Sequence, residues 1–208
     1  MGQGDNEVAY SVDGISWTSV STDFSGGSGN GLCISSDKIV AVGVGSSTDT
    51  IYSTNGGLTW VSTGSTIFGG QGMDVFWNGT DYCAVGGSAV NIATSFDGIN
   101  WNSVSSVFSG GYAHSVYWTG KKWVVSGDNT NSSPIVYSMD GTDWYNSDAS
   151  STLFSACYSI VGNNSVSAVN IPNALFIKSA EQVVITSPDY YGDGITSPTS
   201  IDFVFNPN

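Results

Sequence analysis

The chain has 208 residues, which is long enough to bury a sizeable core and predicts a single domain. Only 10% of its residues are charged, against about 25% in ordinary domains, and its net charge of −13 includes four lysines and no arginine. Such a charge repels nucleic acid and anionic membrane surfaces, and the chain has no run of 18 apolar residues, so we expect neither nucleic acid as a partner nor membrane insertion.

A short phrase, Ser-x-Asp-Gly followed by a tryptophan, occurs four times with small variations and predicts a β-hairpin at each copy. The copies lie 42, 42 and 43 residues apart, a period typical of arrays of small β-sheets. The Asp or Asn side chain can accept hydrogen bonds from the turn backbone, the glycine supplies a positive φ, and the tryptophan packs beneath the hairpin. We assign this structural role to Ser11, Asp13, Gly14, Trp17, Ser53, Asn55, Gly57, Trp60, Ser95, Asp97, Gly98, Trp101, Ser138, Asp140, Gly141 and Trp144.

Pairs of apolar segments lie between these hairpins. Residues 32–43, 75–86 and 116–127 each contain two apolar strands about a polar turn. Their apolar residues run on without alternation, which indicates strands that are covered on both faces. Each repeat therefore predicts four strands, and a glycine-rich link precedes each repeat.

The hairpin phrase resembles the Asp-box, also called the bacterial neuraminidase repeat, whose pattern is Ser-x-Asp-x-Gly-x-Thr-Trp. Residues 53–60 have that spacing with Asn55 in place of Asp, and the other three copies are one residue shorter. The resemblance covers residues 1–148 and implies a β-propeller in which the box joins the third and fourth strands of a blade. We therefore predict an all-β propeller of about five four-stranded blades, forming one domain over residues 1–208.

The two ends of the chain depart from the regular repeat. Residues 4–11 match the stretch after Gly43, so the chain is expected to begin with the two outer strands of a blade whose inner strands are missing. After the clear repeats we predict a degenerate blade at residues 149–188 and a closing segment at 189–208. The strands of the degenerate blade are expected at residues 156–160, 165–169, 174–178 and 182–186. Two interpretations remain for the apolar residues 201–205: they pair with the N-terminal hairpin and close the ring, or the chain is a piece of a longer propeller.

The residues that catalysis would need are scarce. Sialidases, which share this repeat, bind the substrate carboxylate with three arginines and use a tyrosine beside a glutamate. This chain has no arginine, and its two glutamates, Glu7 and Glu181, lie in unrelated positions, so we expect no sialidase activity and no enzyme. We also expect no cofactor and no metal, because the three cysteines form no CxxC motif and residues 189–194 lack the spacing of a calcium loop. Cys83 aligns with valines of other repeats and is expected to be a buried thiol.

The one histidine is a candidate ligand contact. His114 follows Tyr112 at the predicted start of an inner strand and aligns with Asn30, Met73 and Ala156. Inner strands of propellers surround the central channel, so we name Tyr112 and His114 as candidate ligand-binding residues.

Three tryptophans outside the hairpins are further candidates. Trp77 and Trp118 share a column in which other repeats have isoleucine, and Trp123 shares a column with Ile39 and Tyr82. These exchanges favour packing, and stacking against a sugar ring is the alternative. Trp77, Trp118 and Trp123 therefore complete the list of candidate ligand contacts.

Together these features predict a non-enzymatic, surface-exposed propeller that acts as a structural or binding module. Similar Ser/Asn/Gly-rich arrays occur in proteins of large DNA viruses and phages, so this resemblance implies a virion protein whose partners are other proteins or surface glycans, and which can assemble with other chains. The alternative is a lectin-like, carbohydrate-binding propeller of a secreted or cell-surface protein, and a glycoside hydrolase with two catalytic aspartates is third. We expect a virion-surface or extracellular location, and the N-terminus does not have the pattern of a signal peptide.

Overall fold

In the computed structural model the chain is all-β. The structure describes residues 1–3, 7–24, 26–87, 89–104, 107–108, 110–128, 133–147, 154–162, 175–178 and 183–186. These residues form strands and turns, with no helix among them.

The strands form five antiparallel sheets that follow one another along the chain. The N-terminal pair consists of β1 (Val8–Tyr10) and β2 (Thr18–Val20). The first blade consists of β3 (Ser28–Ile34), β4 (Ile39–Val44), β5 (Thr50–Ser53) and β6 (Val61–Ser62). The second consists of β7 (Gly72–Trp77), β8 (Tyr82–Gly86), β9 (Ile92–Ser95) and β10 (Asn102–Ser103). The third consists of β11 (Ala113–Trp118), β12 (Trp123–Gly127), β13 (Ile135–Ser138) and β14 (Tyr145–Asn146). The fourth, in its described part, consists of β15 (Ser159–Gly162), β16 (Leu175–Lys178) and β17 (Val183–Thr186).

The sheets are arranged as blades of a β-propeller. Each is a meander in which consecutive strands pair, and the innermost strands β3, β7, β11 and β15 contact one another in series. Single β-bridges, Val44 with Gln71 and Asp128 with Ala156, connect the second strand of one blade to the start of the next. Sheets that repeat radially about an axis form a β-propeller, so the predicted fold of four-stranded blades is confirmed, with three complete blades between Ser28 and Asn146.

The core lies between the blades rather than at one centre. One apolar layer joins the first and second blades through Val40, Val42 and Val75. The strands β8 and β12 are buried at every residue, as their unbroken apolar sequence predicts. All three cysteines are free thiols, and each lies in a different layer. The layers between successive blades contain Cys33, then Cys83, then Cys157.

The phenylalanines of the glycine-rich links are core residues that the repeat analysis did not single out. Phe24, Phe68 and Phe108 are fully buried: Phe24 packs against Ala41 and Ile51 of the first blade, and Phe68 and Phe108 lie in the layers between successive blades. The carbonyl of Phe24 accepts a hydrogen bond from Gly27, and that of Phe108 accepts one from Gly111. The glycines thus turn the chain sharply beside a large ring, which anchors each link.

The four hairpin tryptophans are not equivalent. Trp60, Trp101 and Trp144 are partly buried against the apolar layers, but Trp17 is 64% exposed. The prediction that all four are mostly buried is therefore wrong for Trp17. Its hairpin belongs to the two-stranded N-terminal pair, and no described sheet packs on its outer side.

The fourth blade differs from its predicted form. β15 begins at Ser159 and pairs directly with β16. The strand predicted at residues 165–169 lies outside the described residues. β17 is the third strand of this blade, and Ser187 and Asp189, which have the Ser-x-Asp spacing of the hairpin phrase, come after it in the sequence. Both of these residues, residues 189–194 and the closing segment at 189–208 also lie outside the described part, and ring closure stays a prediction.

Each hairpin phrase forms a compact hydrogen-bonded turn. In the second blade, Asp97 Oδ1 accepts hydrogen bonds from the backbone N–H groups of Ile99 and Asn100, at 2.9 and 2.8 Å. The Ser95 hydroxyl accepts one from the N–H of Gly98 at 2.8 Å. The same bonds recur at the first and fourth copies, and Asn55 Oδ1 accepts from Thr59 in the longer copy. The Ser and Asp side chains of the phrase therefore accept the hydrogen bonds that the backbone N–H groups of the turn donate.

We expect these aspartates to make the protein sensitive to acid. Backbone hydrogen bonds from Ser16 and Ile15 lower the pKa of Asp13 to about 2. Those from Asp143 and Thr142 lower the pKa of Asp140. At Asp97, partial burial raises the pKa, but hydrogen bonds from Asn100 and Ile99 outweigh it and the pKa is lowered. A carboxylate whose pKa falls on folding stabilises the fold above the unfolded value, about 4, and this contribution is lost as the pH falls through the folded value.

The test is a triple variant with Asp13, Asp97 and Asp140 replaced by Asn, a residue that the second copy already accepts at Asn55. Between pH 5 and pH 2 its free energy of unfolding, measured by urea denaturation, should fall less steeply than that of the wild type. Asp23→Asn, an exposed site outside the hairpins, should leave the slope unchanged. Equal slopes in the triple variant and the wild type would contradict the expected linkage.

Candidate functional site

A row of side chains lies where the innermost strands begin. In the first three blades the register between the first and second strands shifts by one residue, and the residue skipped is Asn30, Met73 or His114. Such bulges turn a side chain out of the ladder. In the fourth blade the equivalent residue is Tyr158. The bridge of Asp128 to Ala156 corresponds to the bridge of Val44 to Gln71. Met73 lies two residues after Gln71, and Tyr158 lies two residues after Ala156. We call Asn30, Met73, His114 and Tyr158 the axial row.

This arrangement corrects one position of the repeat alignment. The sequence placed Ala156 in the column of His114, but the bridge shows that Tyr158 takes that place. The fourth repeat has no clear hairpin phrase that could align it with the others, so the sequence alignment placed it two residues too early. Asn30, Met73 and His114 do share one position, as the alignment predicted.

His114 is held between aromatic rings and a carboxylate. Its ring centroid lies 4.8 Å from that of Tyr158 and 6.4 Å from that of Tyr112. Nε2 lies 2.9 Å from Asp128 Oδ1, and the backbone N–H of Tyr112 donates to Asp128 Oδ2 at 2.9 Å. Burial raises the pKa of Asp128, but the bonds from His114 and Tyr112 outweigh it and the pKa is lowered. A carboxylate only accepts, so Nε2 carries the proton and, in the neutral ring, Nδ1 is left as an acceptor.

Asp74 is a site residue that the sequence analysis missed. It follows Met73 on β7, and its Oδ2 accepts hydrogen bonds from the Ser115 hydroxyl at 2.8 Å and the Val116 N–H at 3.1 Å, both on β11. Its Oδ1 accepts from Val75 N–H at 2.9 Å. Burial raises the pKa of this carboxyl despite these donors. Asp74 therefore connects the inner strands β7 and β11 through hydrogen bonds, one residue beyond Met73 of the axial row.

Buried polar groups also recur four residues before the hairpin serines. Glu7 accepts a hydrogen bond from the Thr22 hydroxyl, and Asp49 accepts three from the backbone N–H groups of its link. Asn91 accepts from Phe108 N–H and donates to two carbonyls. These side chains hold the links by hydrogen bonds, and this role accounts for the burial of Glu7.

The candidate tryptophans lie at the other end of the inner strands. Trp118 is four residues beyond His114, about 13 Å along an extended strand. Trp77 and Trp118 are half-buried, with ring centroids 4.3 Å from Tyr82 and 5.0 Å from Trp123. Trp123 is only 2% exposed and lies in the core, so its prediction as a ligand contact is wrong. The structure therefore brings Tyr112 and His114 together, and separates them from Trp77 and Trp118.

In the described part of the chain, no three histidine, cysteine, aspartate or glutamate side chains come close enough together to hold a metal ion. A search of the same residues for an apolar helix of membrane-spanning length finds none.

Comparison with known proteins supports the fold. No family model matches the chain, and no curated protein matches it. Among solved structures it is similar to YCF48 from Cyanidioschyzon merolae, with a TM-score of 0.56 and 14% identity over 79% of this chain and 57% of that one. YCF48 bound to D1 peptide gives a TM-score of 0.56 and 15% identity over 85% of this chain and 56% of that one. A protein of unknown function from Dyadobacter fermentans gives 0.50 and 16%, over 86% and 67%. The chain thus shares the β-propeller fold of YCF48 and spans little more than half of its length.

Proposed function

We propose that this propeller is a non-enzymatic binding module that takes a segment of a partner protein at the axial row. The observation that carries this proposal is the recurrent bulge, which presents Asn30, Met73 and His114 at one end of the inner strands. A row of dissimilar side chains suits recognition, since rigid strands fix each group while the residue types vary. YCF48, which shares the fold, is solved with a D1 peptide bound, and this supports a protein segment as the ligand class.

A peptide display selection tests the proposal. We expect the wild-type protein to enrich related peptides, and a variant with both His114→Ala and Tyr158→Ala to lose them. Tyr145→Ala is the matched control, because Tyr145 is 53% exposed and Tyr158 is 54% exposed, but Tyr145 lies on the outer strand β14. Failure to enrich any peptide, or retention by the double variant, would refute binding at the axial row.

We further propose that the hairpins are Asp-box repeats and that the module is displayed on a virion. The low charge, the wealth of Ser, Asn and Gly, and the hairpin phrase support this location. Mass spectrometry of purified virus particles from the source is the test, and a chain found only in infected cells would count against it.

A lectin-like function is the second candidate, and the half-buried Trp77 and Trp118 favour it. Partly exposed indole rings can stack on sugar rings through their apolar faces. A glycan array distinguishes the two functions, because a lectin binds glycans with the axial row mutated, whereas a peptide-binding module does not bind them at all.

We predict no hydrolysis of sialosides. No arginine is present to bind their carboxylate in a bidentate manner. A fluorogenic sialoside assay on highly purified protein should give the rate of the buffer blank. Turnover that co-purifies with the protein and is lost on heat unfolding would overturn the non-enzymatic proposal.

A further inference from the structure

Acidic side chains lie near the axial row, and the described lysine side chains do not. The lysine side chains that the structure describes lie elsewhere: Lys38 contacts Asp37 and the carbonyl of Asp97, while Lys121 and Lys122 occupy the turn after β11, at the far end from His114. The row itself is flanked by the carboxyl groups of Asp128 and Asp74. With a net charge of −13 on the chain, this end of the propeller attracts cations.

Asp128 retains capacity to bind a ligand. Among the residues that the structure describes, each of its oxygens accepts one hydrogen bond, from His114 and from Tyr112. An ionised carboxylate has about four acceptor sites, so about two are left, and its side chain is partly exposed. Asp74, in contrast, already accepts three bonds, two of them at one oxygen. Asp128 is therefore the group that can pair with an incoming donor.

Tyr158 supplies an aromatic surface that contacts His114, the same side chain that bonds to the Asp128 carboxylate. Its ring lies against His114 and is more than half exposed. A guanidinium or ammonium group over an aromatic face is attracted by the ring quadrupole, and a carboxylate nearby adds a charge-assisted hydrogen bond. We propose that the group recognised at the axial row is an arginine or lysine side chain of the partner segment, held between the ring of Tyr158 and the carboxylate of Asp128. This inference rests on the proposed function.

The probe is N-acetyl-arginine amide, with N-acetyl-citrulline amide as the neutral molecule of the same shape. His114 is the single histidine of the chain, so its ring signals in the proton NMR spectrum report on this site alone. We expect a saturable shift with the arginine probe, and affinity for the citrulline probe at least tenfold weaker. Asp128→Asn should weaken arginine binding about tenfold, Tyr158→Ala about threefold, and Tyr145→Ala not at all.

Three results would overturn the inference: no shift at His114 with the arginine probe, equal affinity for the two probes, or unchanged affinity in Asp128→Asn. The display selection keeps it separate from the proposed function. If the enriched peptides depend on His114 and Tyr158 but lack arginine and lysine, the module binds peptides and the cation assignment is wrong. If no peptide is enriched although the arginine probe shifts His114, the cation site stands without the peptide-binding function.

Discussion

Asp74→Ala is expected to lower the free energy of unfolding by about 2–4 kcal/mol, since it leaves the Ser115 hydroxyl and the Val116 N–H without their acceptor. Both donors are buried on β11, and water does not reach them without disturbing the contact between the second and third blades. Asp74→Asn keeps one carbonyl oxygen and should cost roughly half as much. Urea denaturation of each variant measures the difference.

A double-mutant cycle with Ser115→Ala isolates the bond across the two blades. We expect a coupling free energy of about 1 kcal/mol between Asp74 and Ser115. The exposed Asp143→Ala is the control and should change stability by less than about 0.5 kcal/mol. Additive losses in the cycle would show that the two side chains stabilise the protein independently and that the hydrogen bond between them contributes no stability.

The pH dependence of this contribution has the opposite sign to that of the hairpins. Burial raises the pKa of Asp74 above its unfolded value, so its stabilisation is fully present below about pH 4 and decreases as the pH rises through the folded pKa. Asp74→Asn removes this decrease. Its stability relative to the wild type should therefore improve as the pH rises above about 4.

The second large effect is a contrast between two tryptophans of the same motif. Trp101→Ala should cost about 3 kcal/mol, because its ring packs in the layer formed by Val40, Val42 and Tyr82. Trp17→Ala should cost less than about 1 kcal/mol, since that side chain is mainly exposed. Denaturant unfolding of both variants provides the comparison. Equal losses would mean that Trp17 is buried in the protein in solution.

The hairpins could be predicted from the repeated phrase because contacts between residues close in sequence determine their structure. Ser95, Asp97 and Gly98 are sufficient to close their turn with bonds inside seven residues, so the sequence pattern and the structure coincide there. Burial of Cys83 was also predictable, since unbroken apolar strands must be covered on both faces.

Contacts between blades were harder to predict. The exposure of Trp17 depends on which sheet lies next to it, and the role of Asp74 depends on Ser115, 41 residues later. A comparison of columns in adjacent repeats contains that signal, because Asp74 and Ser115 occupy the same position in successive blades. Tyr158 was missed for a different reason: the fourth repeat has no clear hairpin phrase, and only the bridge of Asp128 to Ala156 sets its phase.

The distribution of the three cysteines gives the protein a built-in set of probes for local opening. Burial raises the pKa of Cys33 to about 12 and also raises the pKa of Cys83 and of Cys157. The thiolate is the reactive form, so alkylation of the buried Cys83 and Cys157 in the native state requires that the surrounding layer first separate, whereas Cys33 is only half-buried. Because Cys83 and Cys157 lie in successive interfaces between blades, their labelling rates, resolved by peptide mass spectrometry, would rank these two interfaces by the free energy needed to open each one. The wild-type chain can thus show which of these two interfaces between blades opens first.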